Sequence, residues 1–153
     1  MNYEKISWLR APVEFIKIYW PVPDGEWHLE SFDRLLENCE RNGVTYIPLL
    51  EWPPDAFKPI VEHLDKWEEY CFQMALRYGS RLPALEVLNE PNMNLSPEDF
   101  TKILKASARA IRKANPDVKI IYGGPGTYSP RHADPRLLAI PASCRRVAAC
   151  NPN

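Results

Sequence analysis

The sequence predicts an α/β fold built on a parallel sheet. Segments of strand length and strand composition alternate with amphipathic segments of helix length, and the stretches between successive strands are long enough to carry crossover helices. At 153 residues the chain can hold one domain with a sizeable core, but it is too short for a complete eight-stranded barrel.

Residues 14–20, Glu-Phe-Ile-Lys-Ile-Tyr-Trp, are rich in β-branched and aromatic side chains and run up to Pro21, which reads as a strand followed by a loop. No strand is recognisable before residue 14. Over residues 31–42 the period changes: Phe32, Leu35, Leu36 and Cys39 recur at i, i+3, i+4 and i+7, one face of a helix, and Gly43 supplies a left-handed cap. Residues 44–50, Val-Thr-Tyr-Ile-Pro-Leu-Leu, form the short apolar run typical of a buried parallel strand, with Pro48 the one discordant residue. The loop Glu51-Trp52-Pro53-Pro54 follows. A second amphipathic helix is expected over residues 58–78, with Ile60, Val61, Leu64, Trp67, Cys71, Met74, Ala75 and Tyr78 facing inward and Gly79 as its stop.

Residues 84–89 return to strand character and lead directly into Glu90-Pro91-Asn92. Ser96 is set to cap a third helix, with Pro97 in its first turn and Glu98 and Asp99 at the positive end of the dipole. Phe100, Ile103, Leu104 and Ile111 form the inner face of that helix, and Asn115-Pro116-Asp117 ends it. Residues 118–122 make a further strand, closed by Gly123-Gly124-Pro125-Gly126. No Lys-Ser/Thr follows these glycines, so they read as a tight turn and not as a phosphate loop. The alternating order, with right-handed crossovers, is that of half a (β/α)8 barrel or of a small open α/β sheet.

Residues 1–130 therefore read as one domain. The tail, 131–153, differs in kind: it has four Arg and no Lys, one Asp, two of the four Cys and no sustained period, as expected of a segment translated out of frame or derived from a vector.

Composition narrows the function. Hydrophobic residues make up 45% and charged residues 25%, with a net charge of −1, which fits an ordinary globular protein and gives no footprint for nucleic acid or an anionic membrane surface. No apolar run reaches the ~20 residues of a membrane span. Met1-Asn2-Tyr3-Glu4-Lys5 lacks the basic and apolar regions of a signal peptide, which points to a cytoplasmic product as written, although a parent protein could be secreted. Cys39, Cys71, Cys144 and Cys150 contain no C-x-x-C pair, and His28, His63 and His132 are scattered, so no metal or other cofactor is expected. Cys39 and Cys71 fall on apolar helix faces, as buried thiols do, whereas Cys144 and Cys150 could pair in an oxidising environment.

Five Trp and seven Tyr offer flat apolar faces of the kind that stack on sugar rings, although core packing accounts for most of them. Glycosidic cleavage usually needs two carboxyl groups, and the C-terminal ends of barrel strands aim such groups into one cleft. Glu90 and Glu51 each follow a strand end. Side by side, their like charges would favour sharing a proton; alternatively Glu51 is a rim residue paired with Lys or Arg. Glu86, between apolar neighbours, can face either the barrel interior or the helices.

The stretch Ala84-Leu85-Glu86-Val87-Leu88-Asn89-Glu90-Pro91-Asn92 resembles the Asn-Glu-Pro segment of the clan A retaining glycoside hydrolases, nearest to families 39 and 5. Lys17-Ile18-Tyr19-Trp20, Asn42-Gly43-Val44 through Trp52-Pro53-Pro54, and Ser96-Pro97-Glu98-Asp99-Phe100 through Val118-Lys119 extend the likeness over about residues 14–126. The resemblance implies a partial (β/α)8 TIM barrel of about four parallel strands and three to four helices, roughly barrel strands two to five. It also implies Glu90 as the general acid/base and Asn89 as the partner of the sugar 2-hydroxyl. Trp20, Trp52 and Glu51 are the further candidates for holding an oligosaccharide or glycoside substrate.

Three departures accompany the match. Leu88 stands where the clan commonly has Trp, no first strand precedes residue 14, and the clan's nucleophile belongs to a seventh strand that this chain does not reach. The alternatives to a glycosidase are accordingly a non-catalytic carbohydrate-binding module and a half-barrel that self-assembles. Two open sheet edges predict a homodimer or larger homo-oligomer.

Overall fold

The computed structural model describes residues 7–12, 29–51, 53 and 57–126. Four strands, β1 (Trp8–Pro12), β2 (Thr45–Leu50), β3 (Ala84–Val87) and β4 (Lys119–Tyr122), alternate with helices α1 (Glu30–Arg41), α2 (Leu64–Tyr78) and α3 (Pro97–Ala114). All pairings are parallel and the spatial order is β1-β2-β3-β4. Each strand thus lies beside its predecessor without a reversal, which is the order of a (β/α)8 barrel segment and not that of a doubly wound sheet with a switch point.

The strand paired with β2 is Trp8–Pro12, upstream of the segment the sequence pattern indicates. The expectation that no strand precedes residue 14 is therefore corrected, and residues 14–20 lie outside the described residues. Arg10 at mid-strand and Pro12 at the end conceal β1 from pattern reading, because a central charge and a proline both argue against a strand. Its charge is matched across the sheet, as described below.

α1 and α3 follow the sequence expectation closely. Gly43, at φ 64°, takes the left-handed conformation after α1. Ser96 Oγ accepts the Asp99 N–H at 3.1 Å, the expected N-cap, and after α3 Asn115 Oδ1 accepts the N–H groups of Asp117 at 3.0 Å and Val118 at 3.3 Å.

α2 is shorter than the periodicity suggests. A single 3₁₀ turn, Ile60–Glu62, precedes it, and His63 at φ −130°, ψ 41° interrupts the helical path, so the α ladder begins only with the Trp67 N–H bonding the His63 carbonyl at 3.0 Å. Ile60 is buried nonetheless. The apolar period is used although the backbone is not one continuous helix.

One core fills the space between the helices and one face of the sheet. Phe32 and Leu36 of α1, Trp67, Tyr70, Met74 and Tyr78 of α2, and Ile103 and Ile111 of α3 pack on Tyr46, Leu50, Leu85 and Val87. The alternating residues Ile47, Leu49, Glu86 and Ile121 belong to the opposite face. α2 and α3 are tied by the Trp67 Nε1–H donating to Ser107 Oγ at 2.7 Å and by an Arg109–Glu68 ion pair. Cys39 and Cys71 are buried free thiols as expected, while Cys144, Cys150 and the tail from 131 onwards lie outside the described residues. No helix among the described residues is long and apolar enough to cross a membrane.

Candidate active site

The end of β3 is where the backbone departs from regular geometry. Leu88 continues the ladder by donating its N–H to the Leu50 carbonyl at 2.9 Å, yet it has φ 60°, and Glu90 has φ 42° and ψ 51°. Two left-handed residues other than glycine within three positions cost on the order of 1–3 kcal/mol each, and they persist only where surrounding contacts over-determine them. The result is a sharp turn that buries Leu88 and leaves Asn89 and Glu90 exposed at the C-terminal end of the strand. Leu88 belongs to the core.

Below this turn, Glu86 is 5% exposed and points to the face away from the helices. Arg10 of β1 meets it with two nitrogens, Nε at 2.6 Å from Oε2 and Nη2 at 2.8 Å from Oε1, a bidentate pair spanning β2. The same Nη2 donates to Asn89 Oδ1 at 2.8 Å. Committing the Asn89 oxygen to Arg10 fixes the amide so that its two N–H groups remain for another acceptor. The hydrogen bond to Glu86 raises the Arg10 pKa; burial works against this, and the charges of Glu86, Glu51 and Glu90 add to it. Three carboxylates thus share the field of one guanidinium.

A cavity of about 620 Å³ opens at this end of the sheet, lined by Glu51, Lys58, Asn89 and Glu90 among polar residues and by Ile60, Pro91, Met93 and Leu95 among apolar ones. Glu51 is 6% exposed, so the two carboxylates on the cavity differ in setting, one buried and one in solvent. Glu51, Asn89 and Glu90 are brought together here, whereas Trp20 and Trp52 lie outside the described residues.

Arg10 was missed by reading the sequence, as was the partnership of Glu86. The available signal was Glu86 itself, because a carboxylate flanked by Leu85 and Val87 in a buried strand requires a cation or donors nearby.

No protein-family model matches the sequence, and no curated protein matches it significantly. Solved structures do match. Cel5A of Thermotoga maritima, solved with mannotriose, is 22% identical with a TM-score of 0.67, over 89% of this chain and 45% of that one. A family 39 glycoside hydrolase from Bacteroides cellulosilyticus WH2 is 19% identical with a TM-score of 0.63, over 78% of this chain and 26% of that one. A β-glucosidase from Thermotoga maritima, solved with cyclophellitol, is 18% identical with a TM-score of 0.64, over 85% of this chain and 37% of that one. The chain therefore has the fold of part of the (β/α)8 barrel of these glycoside hydrolases and spans less than half the length of each of these structures.

Proposed function

We propose that the chain is the acid/base-bearing part of a clan A retaining glycoside hydrolase domain acting on β-glycosides. Glu90 is the general acid/base and Asn89 the partner of the sugar 2-hydroxyl. The observation that carries this reading is the pairing of an oriented amide with an exposed carboxylate. Asn89 and Glu90 stand side by side at the C-terminal end of a parallel strand, on one cavity, with the Asn89 oxygen held by Arg10.

In this reading Glu90 gives its proton to the glycosidic oxygen as the bond to the sugar breaks. The resulting carboxylate then takes a proton from the attacking water. The Asn89 N–H groups donate to the neighbouring hydroxyl, and Trp20 and Trp52 are proposed to stack on the sugar. Retention requires a second carboxyl group roughly 5–5.5 Å from the first. Among the described residues, Glu51 is the other carboxylate lining the cavity with Glu90.

Hydrolysis of an aryl β-glycoside tests the assignment. Glu90→Gln is expected to lower the rate by about 10²- to 10⁴-fold, the usual worth of a general acid. Equal rates for the two proteins would remove Glu90 from the mechanism. Glu51→Gln separates two arrangements: a comparable loss assigns Glu51 as the second carboxylate, and an unchanged rate assigns that role to another residue.

A second reading is favoured by the sheet. Among the described residues β1 and β4 are edge strands, and Ile121 on β4 is 39% exposed. Such edges invite pairing with another copy, so a homodimer or larger assembly is proposed. A stable monomer by light scattering would refute it.

A further inference from the structure

We infer that Asn92 and Gly126 form a clasp that positions the Glu90 side chain, so that the loop after β4 sets the aim of the proton donor. The inference rests on the reading of Glu90 as general acid/base, and Asn92 acts in it as a positioning residue that need not touch substrate.

The loop after β4 meets the turn after β3 at two points, Gly123 and Gly126. The Gly123 N–H donates to the Val87 carbonyl at 2.9 Å, and a Cβ on Gly123 would stand 1.8 Å from the Leu88 carbonyl oxygen. Three residues on, a Cβ on Gly126 would stand 2.8 Å from Glu90 Cδ, 3.1 Å from Cγ and 3.2 Å from Cβ. The Glu90 side chain thus fills the space that a side chain at position 126 would need.

Among the described residues no hydrogen bond holds the Glu90 carboxyl group, so its direction is set by this packing and by the left-handed backbone beneath it. That backbone conformation is doubly demanding, because Pro91 follows and disfavours helical geometry at the preceding residue.

What holds Gly126 in place is Asn92, in the 3₁₀ turn that begins immediately after Glu90. The Gly126 N–H donates to Asn92 Oδ1 at 2.8 Å, and Asn92 Nδ2 donates back to the Gly126 carbonyl at 3.3 Å. Only a side-chain amide offers both an acceptor and a donor at this reach; Asp would keep the first bond and set a carboxylate against the carbonyl in the second. The clasp joins residues 34 apart in sequence and closes a short circuit: Glu90, Pro91, Asn92, Gly126 and back to Glu90.

A misaimed acid has a chemical signature that general loosening lacks. Leaving groups of low pKa, such as 2,4-dinitrophenolate, depart without protonation, whereas phenolate and alkoxides need the acid. Asn92→Ala is expected to lower kcat/KM, which reports cleavage of the glycosidic bond, by about tenfold or more on phenyl β-glycosides and to leave kcat/KM for the dinitrophenyl substrate nearly unaffected. Gly126→Ala, which displaces the carboxyl group directly, is expected to show the same selectivity.

Two measurements on the full chain by NMR accompany the kinetics. In the wild type, the Gly126 amide is expected to be protected from hydrogen exchange, and a dipolar contact is expected between Gly126 Hα and Glu90 Hγ. Asn92→Ala is expected to lower that protection by about tenfold and to weaken the contact.

Equal losses of kcat/KM on both substrates, or an unaltered Gly126 amide and Glu90 contact in Asn92→Ala, would overturn the clasp. Should the wild type show no hydrolysis, or Glu90→Gln no loss, the functional reading fails, and the clasp is then decided by the exchange and dipolar measurements alone.

Discussion

Arg10 and Glu86 face each other across β2, joined by two hydrogen bonds of 2.6 and 2.8 Å, with the Arg10 side chain 48% exposed and that of Glu86 7% exposed. The asymmetry determines what each substitution does. Arg10→Met strands a buried carboxylate on the face of the sheet away from the helices and frees the Asn89 amide to turn. It is expected to cost about 1.5–3 kcal/mol, the range for hydrogen bonds to a charged group. Restoring the balance with Arg10→Met/Glu86→Leu is expected to recover much of that loss, because removing both partners leaves no unpaired charge. Urea unfolding of the two variants checks this. Sugar binding, if it needs the oriented Asn89, is lost in both.

Gly123 and Gly124 are neighbours with opposite requirements. A methyl group on Gly123 would meet the Leu88 carbonyl oxygen at 1.8 Å, whereas one on Gly124 would meet nothing within 4 Å. The obstacle at Gly123 is backbone of the turn after β3 and not the far end of a flexible side chain, so it cannot easily yield. Gly123→Ala is expected to destabilise the protein by about 3 kcal/mol or more and Gly124→Ala to stay within about 0.5 kcal/mol of the parent. Thermal unfolding of the pair gives the comparison, and similar melting temperatures would refute the close approach.

Much of this architecture is legible in the sequence because it rests on local devices. Ser96 before Pro97, Gly43 after α1 and the Phe32-Leu36-Cys39 stripe each act within a turn or two, and the structure uses each as the residues suggest. What is hidden depends on distant partners. β1 carries Arg10 where a strand pattern would want an apolar residue, and its partners Glu86 and Asn89 lie 76 and 79 positions away. His63 delays the start of the α2 ladder without altering the apolar period, because Ile60 is buried from a 3₁₀ turn as readily as from a helix.

The candidate site divides in the same way. Glu90 and Asn89 stand in a recognisable segment, but Arg10, Asn92 and Gly126 acquire their places only when β1 and β4 come to lie on either side of the β2–β3 pair.

Asp33 of α1 provides a pH-dependent link to α2. Its carboxylate accepts from Arg77 Nη2 at 2.6 Å and from the Tyr78 hydroxyl at 2.8 Å. Burial alone would raise its pKa, but the hydrogen bonds from Arg77 and Tyr78, with the charges of Arg77 and Arg81, outweigh that and leave it below the ordinary carboxylate value. A carboxyl group with a depressed folded pKa binds its proton more readily when unfolded. Its contribution to stability is therefore complete above the unfolded value of about 3.9 and is lost as pH falls through the lower folded value. Asp33→Asn removes this term while keeping the side-chain volume. Denaturation midpoints measured from pH 6 down to pH 2.5 are expected to fall less steeply in Asp33→Asn than in the wild type below about pH 4, with the variant less stable at neutral pH. Parallel curves throughout that interval would show that the Asp33–Arg77–Tyr78 contacts do not hold α1 to α2 in solution.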